Sequence, residues 1–264
     1  MRIIDTHCHI YPDKIAEKAA KATSDFYRIP GTHNGSTSVL IERGRAAGID
    51  HFVINSVATT PAQVHAISVF IAAKVEEGKG IFTGLGSFHP DSDDIERDVD
   101  EIISAGLKGI KIHPDIQRFA VDDPRAMKLY EIIEGRLPIL VHTGDNRYDY
   151  SNPDRVKRVL EAFPKLRMIG AHLGGWSIWE SAGYELAKYE NFTVDCSSSL
   201  YAITPGTAVD MIRLYGVDRV MFGTDYPLWD PVEEVERFNK LDLSEEEREK
   251  ILYKNAEKFY NIKL

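Results

Sequence analysis

Ile3-Ile4-Asp5-Thr6-His7-Cys8-His9 is a short apolar run that ends in two histidines one residue apart. In an extended strand alternate side chains share a face, so His7 and His9 are expected to project together. Two neutral imidazoles on one face can hold a divalent metal, whereas a polar strand end meeting water is the plain alternative. Three other runs are built the same way: Pro138-Ile139-Leu140-Val141-His142, Met168-Ile169-Gly170-Ala171-His172 and Arg219-Val220-Met221-Phe222-Gly223-Thr224-Asp225. Each comes after a helix-like stretch, which makes the spacing between them that of repeated β/α units.

Reading outward from these runs, eight strands are expected: Arg2 to Thr6, His51 to Ser56, Ile81 to Ser87, Leu107 to His113, Pro138 to His142, Met168 to His172, Thr193 to Cys196 and Arg219 to Thr224. Between them Pro61 to Glu77, Ile95 to Ala105, Pro124 to Glu134 and Asp154 to Phe163 carry apolar residues at spacings of three and four. This pattern predicts an α/β fold, a (β/α)8 TIM barrel forming a single domain over 1–264. A doubly wound sheet would place a Gly-rich phosphate turn after the first strand, where this chain has its two histidines. Tyr11 to Ser38 is long for a βα loop; it contains a helix-like piece, Lys14 to Ala22, and is a candidate lid. At the other end Pro231 to Lys240 and Ser244 to Tyr253 are expected as helices sealing the outside of the barrel, the second opened by a capping box of Ser244 and Glu247.

With 264 residues, 43% of them apolar, the chain is long enough for one such barrel. A net charge of −9 argues against nucleic-acid binding, and no run is long enough to span a membrane. The two cysteines, Cys8 and Cys196, form neither a C-x-x-C pair nor a disulfide framework, which fits a reducing cytoplasm. The expected partner is a small-molecule substrate.

In a β/α barrel the C-terminal strand ends share one mouth. His7, His9, His142, His172 and Asp225 all fall there, and this convergence is the functional signal. In order, Asp-Thr-His-Cys-His, Gly-Ile-Lys-Ile-His-Pro, Val-His-Thr-Gly, Ala-His-Leu-Gly-Gly and Phe-Gly-Thr-Asp-Tyr-Pro resemble the signatures of the amidohydrolase superfamily. They are most similar to its amidohydrolase-2 branch, which includes aminocarboxymuconate-semialdehyde decarboxylase, resorcylate decarboxylase and assorted hydrolases and lactonases. The resemblance runs from Asp5 through Asp225. It implies that His7, His9, His142 and Asp225 ligate one divalent metal, usually zinc, that His172 is the acid/base residue, that Asp225 also handles a proton of the activated water, and that the protein is a homodimer.

Strand four leaves an alternative open, because Lys111 and His113 could ligate a second metal, or Lys111 could pair with Asp5 or another carboxylate while His113 orients substrate. Substrate contacts are expected from Arg118, Arg147, Trp176 and Tyr226, with Asp115, Gln117, Asn146, Tyr148 and Trp229 nearby. Arginine suits an anionic substrate, though Arg147 could instead pair with Asp145. The expected activity is metal-dependent hydrolysis of an amide, ester or lactone in a small, carboxylated molecule. Non-oxidative decarboxylation at the same site is the alternative, and a non-catalytic barrel with a structural metal is a third reading.

Overall fold

The computed structural model describes residues 1–263. Nine strand segments run parallel in chain order: β1 (Ile4–His9), β2 (His51–Asn55), β3 (Phe82–Gly84), β4 (Gly86–Ser87), β5 (Ile110–Ile112), β6 (Ile139–Val141), β7 (Met168–Gly170), β8 (Phe192–Asp195) and β9 (Val220–Met221). The segments β3 and β4 are the single strand expected over Ile81 to Ser87, divided where it changes partner. Leu85 N bonds Ile54 O of β2 at 2.9 Å, and the next amide, Gly86 N, bonds Gly109 O at 2.9 Å. The ring closes through Thr6 N to Phe222 O (2.9 Å), Asp225 N to His7 O (2.9 Å) and His9 N to Tyr226 O (2.7 Å). The fold is therefore the eight-stranded α/β barrel that the alternation predicts.

Around the ring lie α1 (Asp13–Tyr27), α2 (Thr37–Ala46), α3 (Gln63–Glu77), α4 (Ile95–Ser104), α5 (Pro114–Gln117), α6 (Pro124–Ile133), α7 (Pro153–Ala162), α8 (Trp179–Leu186), α9 (Pro205–Tyr215), α10 (Pro231–Asn239), α11 (Glu245–Glu249) and α12 (Asn255–Tyr260). A π-helical turn, Lys250–Lys254, joins the last two. α4 shows why these segments are helices: it buries Ile95, Val99 and Ile102 on one face, and the Asp94 side chain accepts from Arg97 N at its start. The expected capping box is present, with Ser244 Oγ accepting from Glu247 N and Glu247 Oε2 accepting from Ser244 N. No described helix is long and apolar enough to cross a membrane.

The core has two parts. Ile4, Val53, Leu85, Leu140, Ile169 and Met221 form an inner cluster inside the ring, and Cys8, Ile54, Ile110, Ile112, Ile139, Val141 and Phe222 join the larger cluster between strands and helices. Strict alternation from Ile4 would place Cys8 inside and both histidines outside. The β1–β2 register shifts between Asp5 and Cys8, which reverses the parity and turns His7 and His9 inward.

Several expected boundaries move. The first strand starts at Ile4 and continues to His9, while the fourth and eighth are confined to Ile110–Ile112 and Val220–Met221 because the flanking residues leave the ladder. The inserted helix runs five residues beyond Ala22, to Tyr27. The tail does not only seal the outside: Ala256 and Tyr260 of α12 pack into the inner cluster and close the bottom of the barrel.

Candidate metal centre

β1 delivers His7 and His9, and the chain leaving β9 delivers Asp225, held at φ 62°. The two Nε2 atoms are 3.1 Å apart, and Asp225 Oδ1 is 3.5 Å from His7 Nε2 and 3.3 Å from His9 Nε2. Donors each about 2.1 Å from a common ion lie roughly 3.0 to 3.5 Å apart, so this triplet fits a divalent cation. Protonation agrees with that fit. Burial lowers His7 to about 4 and also lowers His9, so both rings are neutral near pH 7. Burial alone would raise Asp225, but His7, His9 and His172 outweigh it and hold the carboxylate ionised.

Neighbouring groups fix the donor atoms. His7 Nδ1 donates to Asp195 Oδ2 at 3.0 Å, which leaves the lone pair on Nε2. Ser198 Oγ donates to Asp225 Oδ2 at 2.5 Å and itself accepts from Trp229 Nε1 at 2.7 Å. Lys111 does not pair with Asp5. That carboxylate is occupied by Thr224 N, Thr224 Oγ1 and His7 N, tying β1 to the chain after β9. Lys111 Nζ instead lies 3.1 Å from His7 Nε2, with burial lowering its pKa to about 8.

His142 stands apart from the triplet that it was expected to complete. Its ring stacks on His113 at 3.9 Å and 7°, and its Nδ1 lies 2.9 Å from His172 Nε2. Hydrogen-bond direction can be followed through these rings. Ser197 O can only accept, so His172 Nδ1, 3.0 Å away, carries a proton and His172 Nε2 accepts from His142 Nδ1. At the other end Ile116 N donates to His113 Nδ1 at 3.2 Å, so His113 carries its proton on Nε2 and donates to Tyr27 Oη at 2.5 Å. His113, Asp115 and His142 also lie within 4.8 Å of one another, but a protonated Nε2 makes His113 a poor ligand and disfavours a second ion there. Burial raises Asp115 to about 7, and Ser151 Oγ donates to its Oδ2 at 2.8 Å.

The expected substrate contacts divide. Trp176 is at the site, edge-on to Tyr27 at 4.8 Å and 6.5 Å from His142. Arg147 has its guanidinium forked on Asp145, donates to Phe26 O at 2.7 Å and lies against the Phe26, Tyr27, Tyr148 and Trp176 rings, so it holds protein groups and has no free fork for a substrate. Arg118 is an exposed left-handed cap of α5. Tyr226 is fully buried, donates to Ser36 O and stacks on His33, so it braces the insertion and does not reach a substrate. Trp229 stacks on Tyr201 at 4.3 Å.

Asp195 and Tyr27, like Ser197 and Ser198, are site residues that the sequence analysis does not single out. Asp195 ends β8 fully buried, bonded to His7 and to His172 N, and the run Thr193-Val194-Asp195 has the same apolar-then-acidic form that singles out Asp225. Tyr27 comes from the last turn of α1, and no local signal marks it.

A family model described as amidohydrolase matches residues 4–262. No curated protein matches the chain. Among solved structures, an uncharacterized TIM-barrel protein from Bordetella bronchiseptica is similar at TM-score 0.81 and 23% identity, with 98% of each chain covered. A 2,6-dihydroxybenzoate decarboxylase complexed with 2,6-dihydroxybenzoate is similar at TM-score 0.77 and 16% identity, covering 99% of this chain and 100% of that one. A dihydroxybenzoic acid decarboxylase from Polaromonas sp. JS666, with bound manganese and the inhibitor 2-nitroresorcinol, is similar at TM-score 0.72 and 15% identity, covering 98% of this chain and 96% of that one. At these identities the likeness is one of fold.

Proposed function

Because the chain belongs to the amidohydrolase family, we propose that it is a metal-dependent, non-oxidative decarboxylase of a hydroxylated aromatic carboxylate. The proposed ligands are His7, His9 and Asp225, and the nitrogen-and-carboxylate donors suit manganese as well as the zinc expected from the sequence. When bound, the ion supplies positive charge that anchors a carboxylate and stabilises negative charge on a neighbouring oxygen. The observation that carries the reading is burial. His7, His142 and His172 are at most 2% exposed, and the Tyr27 and Trp176 rings lie 5.8 and 6.5 Å from His142, so a reacting ring beside His142 is held away from bulk water against aromatic walls.

His172 supplies the acid/base function. Burial lowers its pKa and keeps it neutral at rest, and its Nδ1 proton is held by Ser197 O, so Nε2, which accepts from His142 Nδ1 at 2.9 Å, is the atom that exchanges a proton once a substrate displaces that bond. The ring carbon takes up one proton from solvent by way of that nitrogen, and the electron pair of the breaking carbon–carboxylate bond stays with the ring as CO2 leaves. Dihydroxybenzoate decarboxylases of the same fold make such acids the first substrates to test.

Hydrolysis is the second reading, favoured by one observation: the side chains of His9 and Asp225 remain 12% and 11% exposed, so water can approach the ion position from their side. Incubating manganese- or zinc-loaded protein with 2,6-dihydroxybenzoate and related acids separates the two. Decarboxylation predicts CO2 and the free phenol in equal amounts, with His172→Asn keeping its metal and losing about 100-fold in kcat. No CO2 from any of these acids, together with solvent 18O entering the product of an ester or lactone, would establish hydrolysis instead.

A further inference from the structure

Tyr27 is the residue at this centre for which neither the metal cage nor the acid/base group gives a role. Its side chain crosses from α1 into the site, with its hydroxyl 2.5 Å from His113 Nε2 and 3.3 Å from both ring nitrogens of His142. Because Ile116 N occupies His113 Nδ1, the bond between His113 and Tyr27 has one direction: the imidazole donates and the phenol oxygen accepts. The phenol proton is therefore directed away from His113. The acceptor it meets is His142, at a distance too long for a strong hydrogen bond from a hydroxyl.

The ring itself has little freedom. Tyr27 is 9% exposed, with Phe26 edge-on at 4.9 Å, Trp176 at 4.8 Å and the Arg147 guanidinium 5.3 Å from its centroid. A buried hydroxyl with a fixed ring, an oriented donor behind it and a weak acceptor ahead is arranged to donate to something that enters the site. We propose that Tyr27 is a substrate-contacting residue that donates its hydroxyl proton to an oxygen of a bound carboxylate, and that His113 is the positioning residue that aims it. The inference rests on the proposed metal site but not on which reaction occurs there.

Salicylate is a suitable probe, because its carboxylate and ortho oxygen chelate an open divalent ion whichever reaction the enzyme catalyses. Titration calorimetry of manganese-loaded protein should give a Kd about tenfold higher for Tyr27→Phe than for wild type, with unchanged metal content and an unchanged Tm. His113→Asn keeps a side-chain acceptor for Ile116 N but cannot reach Tyr27, and should weaken salicylate binding to a similar extent. The double variant should bind no more weakly than either single one, a non-additivity that general loosening of the site would not produce. Equal salicylate affinity in wild type and Tyr27→Phe would overturn the proposal, as would fully additive effects of the two substitutions. A tenfold difference in a protein that releases no CO2 from any carboxylated substrate would count against decarboxylation while still supporting the role of Tyr27.

Discussion

At the scale of single residues, the arrangement depends on side chains that fix which nitrogen of each imidazole carries a proton. Asp195 does this for His7: accepting from Nδ1 at 3.0 Å, it keeps the lone pair on Nε2, where the ion is proposed to bind. Its carboxylate is held ionised even though burial acts to raise its pKa, because His7, His172 and Ser197 together outweigh that effect. In Asp195→Asn the charge is lost and the amide can present its NH2 to Nδ1, which favours the wrong tautomer. Metal affinity should fall about 10- to 100-fold with the fold intact, as measured by competition with a chromophoric chelator. Unchanged affinity would remove Asp195 from the site. His7, His9, His172 and Asp225 were legible in the sequence because each ends an apolar run. Asp195 was not, because an aspartate in Thr-Val-Asp-Cys also reads as the first residue of a turn.

At the scale of elements, the insertion after β1 is what turns an open barrel mouth into a closed site. The periodicity of Lys14 to Ala22 is enough to predict a helix, but Thr23, Ser24 and Asp25 are weak helix formers, and the last turn that carries Phe26 and Tyr27 is stabilised by tertiary contacts. Arg147 supplies the main one. It joins the loop after β6 to the end of α1 through Phe26 O and the faces of four aromatic rings, while Asp145 holds its fork. An anionic substrate and Asp145 are the two partners the sequence offers this arginine, and neither points to the end of a helix 121 residues earlier in the chain. Arg147→Met keeps the apolar stem but removes the donor and the charge. Backbone amides in the last two turns of α1 should then exchange with deuterium roughly tenfold faster, while those of β5 to β8 keep their wild-type rates. Equal protection of α1 in both proteins would show that Arg147 is not what holds the insertion down.

At the scale of the whole molecule, alternating apolar runs and amphipathic stretches were sufficient to read the barrel. Its closure was not legible, because it depends on hydrogen bonds between β1 and the chain after β9, more than 200 residues apart, and on a register shift in β1 that no local pattern announces. The same closure buries polar groups far from the metal site, and one of them sets an acid limit on stability. His51 begins β2 opposite Ile4, is 3% exposed and bonds Thr83 Oγ1 through Nε2 at 2.9 Å. Burial lowers its pKa from the ordinary 6.5 to about 4. Between those values the unfolded chain binds a proton that the folded protein excludes, so stability is fully present above pH 6.5 and is lost as pH falls through 4. In His51→Gln, which retains a donor for Thr83 but does not titrate, this component vanishes. Going from pH 7 to pH 4.5, wild type should lose about 2 kcal/mol more unfolding free energy than His51→Gln, a difference that urea denaturation at the two pH values measures directly. Identical losses in the two proteins would mean that His51 is charged in the folded state and that the bottom of the barrel admits water.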